Sequence, residues 1–187
     1  MGHRAAQDRG VKLVLEPDIG DEAGAAGEHA VVLDPRSGEI LAFVSLPAYD
    51  PNAFALGIDQ DTWDALNQDT LRPLNNRALQ GRYSPGSTFK IAMVVAALQE
   101  GIVTPNFRVS CRGGGTFYGR FSQCHTTHGS VDMREALEQS CNTYFYTLGE
   151  MLEIDQIHKW ATALGLGELS GLDLPHEVQG LMPSTAW

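Results

Sequence analysis

Residues 83–101 limit the fold more than any other stretch. Pro85-Gly86 breaks the chain. Directly after it, Phe89, Met93, Val94, Ala97 and Leu98 recur at helical spacing up to Gly101. The pattern predicts a helix from Phe89 to Leu98, with Ser87 at or next to its N-terminus. Lys90 lies three residues beyond Ser87, one turn on and on the same face. A serine hydroxyl is a poor nucleophile at its free pKa and needs a neighbouring base. An amine one turn away can serve once burial lowers its pKa, and a helix N-terminus favours negative charge developing on oxygen. The four-residue pattern alone is weak, because a capping serine beside a solvated lysine reads the same way.

The remaining chain supplies a frame for that turn. At 187 residues and 43% hydrophobic it can bury one real core. A net charge of -10 does not attract polyanions, so no nucleic acid is expected as a partner. No apolar run approaches the roughly 20 residues that span a bilayer, and no signal peptide is visible at the start. Val11, Leu13 and Leu15 alternate as a short strand would, and Ala23 to Gly27 reads as loop. Ala30 to Leu33 and Glu39 to Ser45 flank Asp34-Pro35-Arg36-Ser37-Gly38, which predicts a hairpin. Its apolar residues fall on both faces, as in a strand pair covered on both sides. A short helix at Thr62 to Leu66 with an Asp61 cap is expected. Val103 to Cys111 reads as extended, and Arg112 to Thr127, with four glycines, as an irregular excursion. Asp132 and Glu135 have capping-box spacing at the head of another helix. Asp155 is the expected cap of a last helix, stopped at Gly165. Tyr144, Phe145 and Tyr146 read as core. His3, His29, His158 and His176 read as surface residues.

Ser140-Cys141-Asn142 interrupts two helical segments 53 residues after Ser87. Ser-x-x-Lys followed by Ser-x-Asn is a motif pair of penicillin-binding proteins and related β-lactamases. The resemblance extends along the chain. Val32-Leu33-Asp34-Pro35-Arg36-Ser37-Gly38-Glu39-Ile40-Leu41-Ala42 looks like the first hairpin of a transpeptidase domain. Tyr49-Asp50-Pro51-Asn52, Asn76-Arg77-Ala78-Leu79-Gln80-Gly81 and Tyr83 to Lys90 resemble the approach to its nucleophile. Gly171-Leu172-Asp173-Leu174-Pro175 and Gly180-Leu181-Met182-Pro183-Ser184 resemble the region after the second motif. The chain is most similar to class B penicillin-binding proteins of the elongation type.

That resemblance implies an α+β fold of the serine acyltransferase kind, built as a first β-hairpin plus a helical subdomain. Residues 1–29 would be a linker or a vector-derived start, and 30–187 the N-terminal part of a transpeptidase domain. It implies peptidoglycan DD-transpeptidase chemistry. Ser87 would be acylated by D-Ala-D-Ala stem peptides and by β-lactams, Lys90 would be its base, Ser140 a proton relay, and Asn142 a substrate contact that also positions Lys90. Further partners would be membrane proteins of cell-wall elongation, on the periplasmic side of the inner membrane. The family's third motif, Lys-Thr-Gly or Lys-Ser-Gly, is not among these residues, and the last lysine is Lys159. That motif supplies a carboxylate contact and part of the oxyanion hole, so activity of this chain on its own is not expected to match the family's. Two rivals fit the same letters: a non-catalytic β-lactam-binding sensor module and a zinc-stabilised interaction domain.

All three cysteines fall in a 31-residue stretch that also holds two histidines. Cys111, Cys124, His125, His128 and Cys141 offer the thiolate and imidazole ligands that zinc prefers. We expect a structural zinc on Cys111, Cys124, His128 and Cys141, with His125 as the competing ligand, inside a subdomain near 103–150. His128-Gly129 followed by Val131-Asp132 resembles a segment of elongation-type members expected to hold a metal there. A Cys111–Cys124 disulfide, or a Cys141 that is only a small buried hydrophobe, are the other readings.

Overall fold

The computed structural model describes residues 12–17 and 27–187. Val11, His3 and Ala23 to Ala26, on which some expectations fell, lie outside them. The chain divides into two compact units: one runs to Arg82 and takes in Leu174–Val178, and the other holds Tyr83–Asp173 and Gln179–Trp187.

The first unit carries a three-stranded antiparallel sheet in the order β1 (Lys12–Pro17), β2 (Glu28–Leu33), β3 (Ile40–Leu46). The predicted hairpin is the β2–β3 pair. Asp34 closes its turn, accepting from the Arg36 amide and from the Arg36 guanidinium through both carboxylate oxygens. Burial on both faces is not observed. In β2, Ala30 and Val32 are buried, whereas on β3 Val44 is 40% and Leu46 43% exposed. Among the described residues β3 lies at the end of the sheet order, and its outward side chains are left partly exposed. Two short helices follow, α1 (Asn52–Ala55) and α2 (Gln60–Gln68). The α2 cap is Asp59, whose side chain accepts from the Thr62 amide, and Asp61 sits in the first turn. The cap must precede the first helical residue, and α2 starts earlier than its apolar residues suggest. α3 (Arg77–Gln80) buries Arg77 and Leu79. Ser45 of β3 ties this helix down, accepting from the Arg77 amide and donating to the Asn75 carbonyl.

The second unit has its own core. A 3₁₀ turn, Gly86–Phe89, runs into α4 (Lys90–Gln99), which ends with Gly101 at positive φ. Ser87 therefore lies in a tight turn one step before the α-helix. Pro85 lacks an N–H and Gly86 takes φ +52°, which together set a turn rather than a helical start. β4 (Val109–Cys111) pairs with β7 (Gly129–Val131), and β5 (Gly114–Phe117) with β6 (Arg120–Gln123). The supposed irregular excursion is thus a regular hairpin. Its two-residue turn is Tyr118-Gly119, both at positive φ, and Tyr118 is held by Glu150 and by the Gly149 carbonyl.

α5 (Met133–Glu138) opens with the predicted Asp132–Glu135 capping box. α6 (Asn142–Met151) follows the Ser140-Cys141 turn, and α7 (Ile154–Ala163) packs on α4. Glu153, not Asp155, caps α7 in a capping box with Gln156. Asp155 instead accepts from the amide and hydroxyl of Thr185. Ala96, Ala97, Ala136, Tyr144 and Leu148 are fully buried between these elements, whereas Tyr146 is 40% exposed and leans on Phe117. His176 is exposed, but His29 and His158 are half-buried, His158 meeting the Met182 carbonyl.

Candidate active site

Two segments 53 residues apart converge on one lysine. Lys90 begins α4 and is 9% exposed. Its Nζ lies 3.1 Å from Ser87 Oγ, 2.8 Å from Ser140 Oγ, 2.9 Å from the Ser140 carbonyl and 2.7 Å from Asn142 Oδ1. Ser140 Oγ donates to Ser87 Oγ at 3.0 Å. All four residues predicted for the chemistry are brought together. Ser140 adopts φ +52°, a conformation costly for a residue with a Cβ, and so turns both its hydroxyl and its carbonyl onto the amine. Asn142 is the first residue of α6, so its amide oxygen is fixed by the helix that follows.

The polar count around Nζ is informative. The Ser140 carbonyl and Asn142 Oδ1 can only accept, so they claim two N–H groups. The third position on nitrogen faces the two hydroxyls. In the ammonium form it donates to one of them, and in the neutral form it offers a lone pair to the Ser87 proton. Burial shifts the lysine towards that neutral form, and nearby Cys124 and Cys141 oppose the shift without cancelling it. The Phe145 ring, 5.4 Å away, favours the charged form in the same modest way. Ser87 itself is exposed, so an incoming group can reach its oxygen while the amine behind it stays dry. A hydroxyl nucleophile, a buried amine and a second hydroxyl in one hydrogen-bonded set suit acyl transfer.

On the other side of Cys141 lies a second cluster. One ligand atom each from Cys111, Cys124, His128 and Cys141 lie within 4.8 Å of one another, and the three cysteines are buried free thiols. Cys111 Sγ is 3.5 Å and Cys124 Sγ 3.6 Å from His128 Nδ1. Tetrahedral zinc with its usual bond lengths would space sulfur and nitrogen ligands by about 3.5–3.8 Å. The residues therefore fit such an ion in donor type and number, and the two Sγ–Nδ1 distances match its ligand spacing. Burial pushes the Cys111 thiol up, but hydrogen bonds from the Thr143 hydroxyl and the Gly113 and His128 backbone outweigh it and bring it to about 7. Cys124 is lowered in the same manner by backbone groups of Thr143, Thr126 and Asn142, against the effect of burial. Cys141 is pushed up to about 12, chiefly by burial. His125 is exposed, with its Nδ1 4.0 Å from Cys124 Sγ and its ring edge-on to His128, outside the four-atom group. Thr143 and Phe145 were not foreseen near the site. Nothing in their spacing separates them from core residues of an amphipathic helix.

The family model described as the penicillin-binding protein transpeptidase domain matches residues 29–187. The chain is 39% identical over 184 residues to the peptidoglycan D,D-transpeptidase MrdA of Acinetobacter baumannii, covering 96% of this chain and 27% of that protein. It thus spans about a quarter of the length of that curated relative. The crystal structure of Pseudomonas aeruginosa PBP2 superposes with a TM-score of 0.80 at 39% identity, covering 88% of this chain and 37% of that one. Helicobacter pylori PBP2, in a complex with MreC, superposes with a TM-score of 0.81 at 32% identity over 85% of this chain and 30% of that one.

Proposed function

This chain belongs to the penicillin-binding protein transpeptidase family, and on that premise we propose that it is part of an elongation-type peptidoglycan DD-transpeptidase. The observation that carries the reading is the hydrogen-bonded set of Ser87, Lys90, Ser140 and Asn142. Ser87 Oγ attacks the carbonyl of the D-Ala-D-Ala bond while its proton passes to the neutral Lys90 amine. Ser140 carries a proton to the departing D-Ala nitrogen as the C–N bond breaks. The acyl group then sits on Ser87 until the amine of a neighbouring stem peptide attacks it and frees the serine. Asn142 holds Lys90 and offers its amide to the substrate. A β-lactam carbonyl enters the same path and stays on Ser87.

We also assign zinc to Cys111, Cys124, His128 and Cys141. Bound there, zinc would supply a structural crosslink among those four side chains. Cys141 sits between Ser140 and Asn142, so a tethered Cys141 holds both neighbours against Lys90. The MreC partner of the Helicobacter pylori protein supports a place among cell-wall elongation proteins, and we propose the periplasmic face of the inner membrane as its location.

The test is intact-mass spectrometry of the protein encoded by the complete gene after exposure to a β-lactam. One adduct on Ser87 is expected, absent in Ser87→Ala, with crosslinking of a stem-peptide substrate lost in the same variant. A folded wild-type protein that takes no adduct overturns the acylation reading. An adduct without any turnover of stem peptide would make it a sensor. Metal analysis of the same protein tests the zinc assignment separately.

A further inference from the structure

Thr143 contributes a hydroxyl to the cysteine cluster that neither motif describes. It is 4% exposed, in the first turn of α6, directly after Asn142. Its Oγ1 lies 3.2 Å from Cys111 Sγ. A buried hydroxyl has to find a partner, and in helices a threonine hydroxyl often takes the carbonyl one turn back. Thr147, one turn later, does this, donating to the Thr143 carbonyl at 2.9 Å. Thr143 instead meets a sulfur atom on β4, a strand 32 residues earlier.

We propose that Thr143 is a positioning residue: its hydroxyl donates to the Cys111 sulfur, aims that sulfur at the other three ligand atoms and pins the start of α6 to β4. The direction of the bond follows from the chemistry. A thiolate carries no proton, so in the ligating state only the hydroxyl can donate. Hydrogen bonds of this kind orient the ligating atoms of metal sites. Because Thr143 follows Asn142 in sequence, the same bond fixes the backbone that carries the amide oxygen on Lys90. This inference rests on the metal assignment above only for its affinity readout.

The experiment compares wild type, Thr143→Val, which keeps the shape and loses the hydroxyl, and Thr143→Ser, which keeps the hydroxyl. Zinc affinity is measured by competition with a chromophoric chelator. Thr143→Val should bind zinc about 10- to 100-fold more weakly, and Thr143→Ser should recover most of that loss. The second readout needs no metal: amide hydrogen exchange at Asn142 to Tyr144 in metal-free protein should quicken in Thr143→Val and return to the wild-type rate in Thr143→Ser. Equal affinity and equal exchange across the three proteins overturn the proposal. A wild type that binds no zinc overturns the metal assignment instead, and the exchange comparison still decides the role of Thr143. If Thr143→Val lowers only thermal stability, with both readouts unchanged, the residue merely packs and the proposal fails.

Discussion

The two units bury their apolar residues very differently. In the second unit Ala96, Ala97, Ala136, Cys111, Cys141, Tyr144 and Leu148 are all at 0% exposure, and helices α4, α5 and α6 supply most of them. In the first, the buried hydrophobic residues among those described are Ala30, Val32 and Leu79, while Leu33, Leu41, Val44 and Leu46 are each at least 40% exposed. The reactive groups belong to the well-buried unit. Lys90 and Asn142 start helices whose inner faces are close-packed, so their positions are set by core packing rather than by loop conformation.

The largest expected effect separates the units by stability. Leu148→Ala removes a fully buried side chain and should cost roughly 2–5 kcal/mol. Val44→Ala on β3, already 40% exposed, should cost less than about 1 kcal/mol. Urea unfolding of the two variants measures both. Equal losses would mean that the hairpin unit is as firmly packed as the helical one.

A smaller effect should follow metal removal. If Cys111, Cys124, His128 and Cys141 hold zinc, chelation removes a ligand bound only to the folded state, worth about 2.7 kcal/mol when zinc stands at a hundred times its Kd. Hydrogen exchange should then quicken at residues 109–131 and at Ser140 to Thr143, and stay unchanged in β2 and β3. A uniform response would break the distinction. Affinity should also fall as pH drops through about 7, because Cys111 takes up a proton there.

Legibility in the sequence followed the same division. Helix α4, the Asp132–Glu135 box and the Ser140-Cys141-Asn142 break were readable, because apolar periodicity and capping chemistry are local signals. The convergence of Ser87, Lys90, Ser140 and Asn142 came through family resemblance, since no local pattern carries a contact across 53 residues. The β5–β6 hairpin was missed: Gly114 and Gly115 carry no strand signal, and Tyr118 is an unusual residue at positive φ. Burial of β3 was overestimated, because an apolar run reports what a strand can cover and not whether neighbours are there. Thr143 was invisible for another reason. A threonine in an amphipathic helix looks the same whether its hydroxyl meets a carbonyl or a sulfur.

The smallest effect concerns the lysine's charge. Burial lowers the Lys90 pKa, so the rate of Ser87 acylation should rise with pH and reach half its plateau below the ordinary lysine value of about 10.4. The sign follows from the base form, since only the neutral amine accepts the serine proton and its fraction grows as pH climbs. Phe145 works against burial: its ring, 5.4 Å from Nζ, attracts the ammonium form. Losing such a contact, Phe145→Leu should move the midpoint down. Val44→Ala, outside the unit that holds Lys90, should leave it unmoved. Stopped-flow acylation by a chromogenic β-lactam across pH reads all three proteins. An upward shift in Phe145→Leu would mean that the leucine opens the lysine to water, and solvation rather than the aromatic face would then be the stronger influence on the base.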